Sequence, residues 1–456
     1  MEKKRSSFTG RVGFVLAAAG SAVGLGNLWR FPYLAAKYGG GIFLLVYIIL
    51  AITFGFTLMV TEIAIGRKTG LSCISAYKKL DKRFGFMGWL SALVPVIITP
   101  YYCVIGGWVI RYFAEFVSGH GKDLATSSAD FFSNFIGMKG GIVDNPMLWF
   151  IIFVALTSAV VIFGVEKGIE KVSKVMMPIL VILCVVIAVF ALTIDGAGLK
   201  YYLLPDFSKF SSATVLGALG QLFYSMSLAM GIMITYGSYM KKEDNIEKSV
   251  RQIEIFDTGI ALLAGLIIIP SVVAFNGGSA DGINAGPGLM FITLPQVFNA
   301  MGSIGGVVGT LFFLLVFFAA ITSSISLMET VVSMVRDKFH WNRVVTTVVV
   351  TLCTVAIGSL SVLGYGPLAN FKIFGMQMLD FFDFISNSVL MPIVAFLTCI
   401  LIGHVVGTKV IADEVGLSAK FTGEKLHRVM IKWVAPILLV VILVAQVLSA
   451  FGIITI

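Results

Sequence analysis

The sequence predicts an all-α membrane protein whose chain crosses the lipid bilayer many times. Two features of its composition indicate this: 58% of its 456 residues are apolar, and only 12% are charged, about half the charged share of a soluble chain. The third observation is that the apolar residues form continuous runs of roughly 20 residues, which is the length of a membrane-spanning helix. Strands of a membrane barrel would be shorter and would alternate with polar residues, so we expect helices.

The apolar runs predict eleven transmembrane helices. Their limits are 12–36, 41–65, 87–117, 147–164, 169–194, 213–240, 250–275, 304–335, 344–363, 378–405 and 430–454. The first run follows a basic N-terminal segment, but it is longer than the apolar part of a signal peptide and has no small-residue cleavage site, so we expect it to be retained. The Gly- and Pro-rich connection 277–303 has an apolar middle, which predicts a short helical hairpin that could act as a lid.

Lysine and arginine are concentrated in alternate connections, which hold 25 of them, whereas the intervening connections hold six. Basic connections lie on the cytoplasmic side, so we predict a cytoplasmic N-terminus and, with an odd number of spans, a C-terminus outside the plasma (inner) membrane. This asymmetry accounts for the net charge of +9 and makes a nucleic-acid partner unnecessary. The five cysteines are scattered without ligand spacing, so neither a disulfide framework nor a zinc site is expected.

Two runs of small residues interrupt the predicted helices at related places. GSAVGLG lies at 20–26 in the first span, and YSMSLAMG lies at 224–231 in the sixth. Dividing the first ten spans in half gives two repeats of five spans each, 10–194 and 213–405. Because five is an odd number, the second repeat has the opposite orientation in the membrane. Residues 430–454 then form an eleventh span of the same single domain. The runs predict either close helix packing or unwound backbone at a binding site near the middle of the membrane.

Charged residues inside the apolar runs include Arg30, Glu62, Asp257, Asp380 and Asp383. An unpaired charge there costs about 2.5 kcal/mol or more, so each needs a partner. Arg30 and the acids of the tenth span predict an ion pair on the outer side, which is either a gate or a static salt bridge. Asp257 has no basic residue one turn away, and a bound cation would satisfy it.

Hydroxyl groups also lie within apolar helices. Thr322, Ser323 and Ser324 either bond back to their own helix or supply oxygen ligands for a hard cation such as sodium. Tyr101 and Tyr102 are either interfacial anchors or donors in a pocket. The sequence has no HExxH, Walker or GxSxG motif, and its four histidines are dispersed, so we expect neither an enzyme nor an ATP-driven pump.

Several motifs resemble those of the neurotransmitter:sodium symporter family, whose fold is that of the bacterial leucine transporter. They are GSAVGLGNLWRFPY (20–33), GGG (39–41), PYYCVIGGW (100–108), QLFYSMSLAMGIMITYGSY (221–239), FITLP (291–295) and FFAAITSSIS (317–326). The resemblance extends from Arg5 to the eleventh span. It implies a sodium-coupled symporter that imports an amino acid by alternating access, with broken helices 1 and 6.

The resemblance also implies the site residues. Two sodium ions would be held, the first by Ala22, Asn27, Ser225 and Asp257 with the substrate carboxylate, and the second by Gly20, Val23, Ala319, Thr322 and Ser323. The substrate would contact Ala22, Leu25, Gly26, Ile98, Tyr102, Tyr224, Ser225, Ser227, Met230, Ser323 and Leu327. Arg30 with Asp383 would form the outer gate under Phe291, Arg5 with Asp337 the inner gate, and Glu62 would support the unwound part of span 6.

Three departures from the family pattern bear on the substrate. Gly24 stands where monoamine carriers have aspartate, which implies an amino acid that brings its own carboxylate. Asp257 stands where chloride-dependent members have asparagine, and Ala261 where they have serine, so we expect chloride-independent transport. Met230 occupies a position often held by Phe, and its adaptable side chain favours a large apolar or aromatic amino acid.

Three other functions remain open from the sequence. A membrane sensor that kept the pocket would bind amino acid without flux, and an intramembrane enzyme would need an unrecognised nucleophile. A proton-coupled carrier of the same fold would usually have a basic residue in span 5 at the second cation site, and none is found there. The exact amino acid, the number of sodium ions per cycle and the oligomeric state stay undetermined.

Overall fold

The computed structural model describes residues 7–193, 196–276 and 286–454. In these three ranges the regular structure is helical, and two isolated bridges are the only strand-like pairings. The helices are α1 (Arg11–Ala22), α2 (Gly26–Lys37), α3 (Gly41–Thr69), α4 (Cys73–Leu80), α5 (Lys82–Val117), α6 (Gly121–Thr126), α7 (Ser128–Ile136), α8 (Pro146–Ile162), α9 (Val165–Ala191), α10 (Gly196–Leu203), α11 (Ser212–Ser225), α12 (Ile232–Gly237), α13 (Ile246–Phe275), α14 (Leu289–Ala300), α15 (Gly302–Phe339), α16 (Arg343–Leu363), α17 (Met378–Val405), α18 (Lys409–Gly416) and α19 (Glu424–Ala450).

Within the described ranges, eight helices are long and apolar enough to cross a membrane: α3, α5, α9, α13, α15, α16, α17 and α19. A ninth is counted if α1 and α2, which meet at a bend of 53°, form one span. The predicted span 147–164 corresponds to the 17-residue α8, and the predicted span 213–240 is divided into α11 and α12. The chain therefore has the fold of a multi-pass helical membrane protein.

Both runs of small residues stop the helical hydrogen bonding. Between α1 and α2, Val23 is extended, with φ −71° and ψ 96°. Between α11 and α12 the chain turns through three residues with positive φ, namely Ser227 (53°), Ala229 (59°) and Gly231 (70°). Backbone groups in these two stretches are free of the helical ladder, which a membrane protein tolerates only where the backbone faces protein or a cavity.

Close contacts between backbones hold the inner half-helix α12 in place. An added Cβ on Gly66 of α3 would lie 1.9 Å from the Ile234 carbonyl oxygen, and one on Gly237 would lie 2.3 Å from that of Ile63. Only glycine leaves room at these two positions. The pairing of α3 with α12 fixes the level at which the turn at 226–231 lies between the other helices.

Two of the connections between the long helices are partly helical. The polar segment 119–145 contains α6 and α7, which its sequence does not indicate. Of the predicted hairpin 277–303, residues 277–285 lie outside the described residues, and the remainder forms α14 followed by a short turn of helix. Phe298 of α14 packs on Phe312 of α15, with 5.4 Å between ring centres.

Candidate functional site

A small cavity lies between the two helix interruptions and the helices α5 and α15. All eleven residues that the resemblance assigns to the substrate line it: Ala22, Leu25, Gly26, Ile98, Tyr102, Tyr224, Ser225, Ser227, Met230, Ser323 and Leu327. Ser21 and Ile232 also line it, and the sequence analysis did not select them. The structure thus gathers into one cavity residues that lie up to about 300 positions apart.

One end of the cavity is formed by the start of α2, where backbone amides donate to side chains instead of to helical carbonyls. The Leu25 amide donates to the Tyr102 hydroxyl oxygen at 3.3 Å, and the Gly24 amide donates to Asn27 Oδ1 at 3.0 Å. The first amides of a helix and its dipole favour a negatively charged ligand. Gln221 Nε2 donates to the Gly26 carbonyl at 3.0 Å and so ties α2 to α11; no feature of the sequence had indicated this contact.

Asp257 is completely buried beside the cavity, and both interrupted helices contact it. Asn27 Nδ2 donates to Asp257 Oδ1 at 2.7 Å, and Ser225 Oγ donates to the same oxygen at 2.8 Å. Tyr47 OH lies 3.4 Å from Oδ2 and was not expected from the sequence. Asp257 therefore has protein donors, but among the described residues no basic group lies within 4.0 Å of its carboxylate, so its charge is uncompensated by an ion pair.

A second group of oxygen atoms lies where α15 passes the end of α1. Ser323 Oγ is 3.3 Å from the Gly20 carbonyl oxygen, 3.1 Å from that of Ser21 and 3.3 Å from that of Val23. Thr322 Oγ1 donates to the Phe318 carbonyl at 2.8 Å and also lies 3.2 Å from the Ala319 carbonyl.

These distances distinguish the two hydroxyls. Thr322 bonds back to its own helix, whereas Ser323 reaches across to α1. Every group in this set is a neutral oxygen donor, which suits a hard monovalent cation. The Asp257 cluster has the same chemistry with one carboxylate added, so both sets fit sodium.

Two of the residues predicted for the outer gate do not form an ion pair in this structure. Arg30 lies against Tyr224, with its guanidinium carbon 5.5 Å from the ring centre, and donates to the Gly220 carbonyl at 3.4 Å. Asp383 Oδ1 accepts from Tyr101 OH at 3.2 Å and from Asn387 Nδ2 at 2.6 Å. Because no nitrogen–oxygen distance within 4.0 Å joins these two described residues, the predicted ion pair is not closed here.

Phe291 is not brought to the cavity. Its ring packs among aromatic side chains of α5 and α7, at 5.9 Å from Trp108, 4.8 Å from Tyr112 and 5.4 Å from Phe132. Tyr224 lines the cavity and also contacts Arg30, so Tyr224 is the aromatic residue between the cavity and the outer arginine.

On the side opposite to Arg30, the predicted inner gate is only partly described. Arg5 lies outside the described residues. Asp337 accepts from the Ser72 amide at 2.8 Å. Near it, Tyr239 OH donates to Glu329 Oε1 at 2.8 Å, and Glu329 is completely buried and ion-paired with Arg343. The sequence analysis missed this pair, although a glutamate within an apolar run was a signal that could have found it.

Glu62 of α3 contacts the turn between α11 and α12. Its Oε1 accepts from the Ala229 amide at 2.7 Å, and it is buried. Ala229 is one of the left-handed residues, so Glu62 satisfies an amide that has no helical partner. This is the contact that the resemblance implies for the unwound part of the sixth span.

Comparison with known proteins agrees with this geometry. The family model described as "Sodium:neurotransmitter symporter family" matches residues 5–122 and 115–453. An uncharacterised sodium-dependent transporter of Bacillus subtilis, YhdH, is 36% identical over 88% of this chain and 88% of its own length. A sodium- and chloride-dependent taurine transporter of Bos taurus is 27% identical over 89% of this chain and 72% of its own.

A solved structure has the same fold. The crystal structure of MhsT in complex with L-phenylalanine matches with a TM-score of 0.86 at 33% identity, covering 97% of this chain and 100% of that one. The resemblance found in the sequence motifs is thereby confirmed. The chain belongs to the sodium:neurotransmitter symporter family, whose members are membrane transporters and not enzymes.

Proposed function

We propose that this protein is a symporter that imports an amino acid together with sodium by alternating access. The observation that supports this most is the cavity between two interrupted helices, where amides at the start of α2 lie at one end and the Asp257 carboxylate lies beside it. Discontinuous helices of this kind bind anionic substrate groups at amide ends and cations at carbonyl ends. Sodium, when bound, supplies positive charge at these oxygens and couples the cycle to its gradient.

We assign two sodium sites to the oxygen clusters. The first consists of Ala22, Asn27, Ser225 and Asp257, and the substrate carboxylate completes it. The second consists of Gly20, Val23, Ala319, Thr322 and Ser323. The hydrogen bonds that Asn27 and Ser225 make to Asp257 support the first assignment, because they bring α2, α11 and α13 to one point.

We assign the substrate carboxylate to the amides of Leu25 and Gly26 and to the Tyr102 hydroxyl. Carbonyls of Ala22, Tyr224 and Ser225 and the Ser227 hydroxyl would receive the ammonium group. Gly24 supports an amino acid as substrate, because a Cβ there would lie 2.8 Å from Ser323 Oγ and 3.0 Å from Tyr102 OH. The aspartate of monoamine carriers has no room at this position in the present arrangement.

We infer that the side chain of the substrate is large and apolar or aromatic. Ile98, Met230, Ile232 and Leu327 form the apolar part of the cavity, and methionine adapts its shape to different partners. The bound L-phenylalanine in the similar MhsT structure supports this class.

We propose that transport is independent of chloride. Asp257 places a fixed negative charge at the first cation site, where chloride-dependent members of the family rely on the halide. Replacing chloride with gluconate should leave uptake by the wild-type protein unchanged. Strict loss of uptake in gluconate would overturn this part of the proposal.

We propose eleven membrane spans, with an inverted repeat of five plus five, a cytoplasmic N-terminus and an external C-terminus. The two helices shorter than a full span, α8 and the α11–α12 pair, would be the fourth and sixth spans. The basic residues of alternate connections support this orientation. Arg30 and Asp383 would close the outer gate, and Asp337 with Arg5 the inner one, while Phe291 would pack behind α5.

A thermal-shift screen of the twenty amino acids on the purified protein tests the proposed function. We expect stabilisation by apolar and aromatic amino acids in sodium and none in potassium, since the first sodium site is incomplete without the substrate carboxylate. Proteoliposomes with an inward sodium gradient should then accumulate the same amino acid. No stabilisation by any amino acid in either salt would contradict the pocket assignment, and sodium-dependent binding without flux would indicate a sensor.

A further inference from the structure

A second cavity, on the surface and lined by basic residues, lies between the end of α17 and the start of α19. It is enclosed by the turn that follows α17, the short helix α18, the connection after α18 and the first turns of α19. Six charged side chains line it: Lys409, Asp413, Lys420, Glu424, Arg428 and Lys432. The chain thus folds three charged segments around one open space.

The charges of this cavity do not cancel. Glu424 is paired with Arg428, with 2.6 Å between Oε1 and Nη2. Lys409, Lys420 and Lys432 form no ion pair within 4.0 Å in the described part of the chain, and Asp413 is the only remaining acid in the lining. Three ammonium groups therefore face one carboxylate, which leaves an excess of positive charge.

Exposed apolar side chains continue from the cavity along the same helices. Trp433, directly after Lys432, is 62% exposed and packs edge-on against His404 of α17, whereas Ile437 one turn further is 63% exposed. A tryptophan with an apolar neighbour beyond it is typical of the level at which a helix enters the hydrocarbon. We therefore expect Lys432 at headgroup level, on the side that we predict to be cytoplasmic, and Lys409 and Lys420 line the same cavity.

We propose that this cavity binds the phosphate-bearing headgroup of an anionic phospholipid, with its acyl chains along Trp433 and Ile437. Basic cavities between transmembrane helices on the cytoplasmic side are suited to such headgroups. The phosphate would lie among Lys409, Lys420 and Lys432, and Asp413 would weaken its binding. A lipid bound here would hold α18 against α17 and α19.

The test measures the melting temperature of the full-length protein in detergent during titration with phosphatidylglycerol, phosphatidylcholine or inorganic phosphate. We expect stabilisation by phosphatidylglycerol alone. A variant with Lys409→Gln, Lys420→Gln and Lys432→Gln should bind this lipid about tenfold or more weakly, because each lysine near an anionic headgroup contributes to the attraction. A control with Lys82→Gln, Lys167→Gln and Lys171→Gln removes the same charge from exposed lysines in the first turns of α5 and α9 and should bind as the wild type does.

Asp413→Asn tests the opposite change in charge, because it removes a negative charge from the cavity, and it should bind phosphatidylglycerol several-fold more tightly. This test remains valid even if the triple variant does not fold. Equal effects of the two triple variants, or equal stabilisation by phosphatidylcholine, would overturn the site. Equal stabilisation by inorganic phosphate and by phosphatidylglycerol would show that the cavity binds free phosphate and not a lipid headgroup, and would overturn the proposal. Unchanged affinity in Asp413→Asn would also count against the proposal.

Discussion

Asp257 shows how much a single residue can determine in this protein. It is buried without a basic partner in the described part of the chain, yet Asn27 and Ser225 of two different interrupted helices donate to the same carboxylate oxygen. Each donor is neutral, so the negative charge stays available to a cation. The carboxylate therefore both joins the three helices and supplies the charge for the proposed first sodium site.

Asp257→Asn should weaken sodium-dependent substrate binding, with at least about a tenfold increase in the sodium concentration that gives half-maximal binding, because loss of one charged contact is worth about 1.4 kcal/mol or more. Isothermal titration or a sodium-dependent thermal shift would measure it. Asp123→Asn, at an exposed position of an outer connection, is the control and should have no effect. An unchanged sodium requirement in Asp257→Asn would remove Asp257 from the proposed site.

Gly24→Ala should weaken amino acid binding about tenfold or more. The new methyl carbon would lie 2.8 Å from Ser323 Oγ and 3.0 Å from Tyr102 OH, so at least one of these hydroxyls must move. Gly259→Ala on α13 is a matched control, because a methyl carbon added there would have no atom within 4 Å apart from those of its own helix. If both variants bind alike, Gly24 does not border the substrate.

At this scale the residues that the resemblance assigns to the substrate all line one cavity, and most of them lie within the family motifs. The sequence did not indicate Tyr47 or Gln221, which contact Asp257 and Gly26. A tyrosine or glutamine within an apolar helix has the same local pattern whether it faces lipid, core or a site. Only the packing of distant helices decides which partner it meets.

The interruption between α11 and α12 is the element with the most unusual backbone. Ser227 and Ala229 have positive φ although they are not glycine, which costs each of them about 1 kcal/mol. The hydrogen bond from the Ala229 amide to Glu62 offsets part of this cost. The turn is thus maintained by its surroundings and not by its own conformational preference.

Gly231→Ala should lower the melting temperature, since φ is 70° and the new methyl would lie 2.9 Å from Cys73 Sγ. We expect the free energy of unfolding to decrease by about 1 to 3 kcal/mol. Ala229→Gly is the informative companion, because it relieves a left-handed residue while keeping the amide bond to Glu62. Its melting temperature should be no lower than that of the wild type; a large decrease would show that the Ala229 methyl group, not the backbone, holds the turn.

Helix limits were predictable from the apolar runs, as the agreement of 378–405 with α17 illustrates. The positions of the breaks were also indicated, because small residues cluster at 20–26 and 224–231. Which residues of the second break become left-handed was not predictable. Serine and alanine carry no signal for positive φ, and only the contacts of the turn select it.

At the scale of the whole molecule, buried ion pairs join segments that are far apart in the chain. Arg67 of α3 and Glu414 of α18 are separated by 347 positions, and their Nε and Oε1 atoms are 2.9 Å apart. Lys242, from the connection that follows α12, reaches the same carboxylate at 2.7 Å. One carboxylate thus ties together three parts of the molecule, and no local pattern in the sequence could have paired them.

Glu414→Gln should destabilise the protein by about 3 kcal/mol or more, because the fully buried Arg67 loses its charged partner. A thermal melt monitored by light scattering or a thiol dye would detect the change. Asp81→Asn, which removes the partner of the exposed Arg83, should shift the melting temperature little. Equal shifts in the two variants would mean that the buried pair contributes no more than a surface pair.

The Ser323 hydroxyl has one hydrogen atom but three carbonyl oxygens within 3.3 Å. At any instant the hydroxyl donates its proton to one of these carbonyls, and the other two do not receive it. Rotation about the Cβ–Oγ bond changes which carbonyl is the acceptor. The hydroxyl can therefore exchange one acceptor for another without any movement of the backbone. A cation held by these carbonyls would displace only the one hydrogen bond that the hydroxyl donates to them, so we expect the end of α1 to alternate between a proton-bonded and an ion-bonded form without a large reorganisation of its backbone.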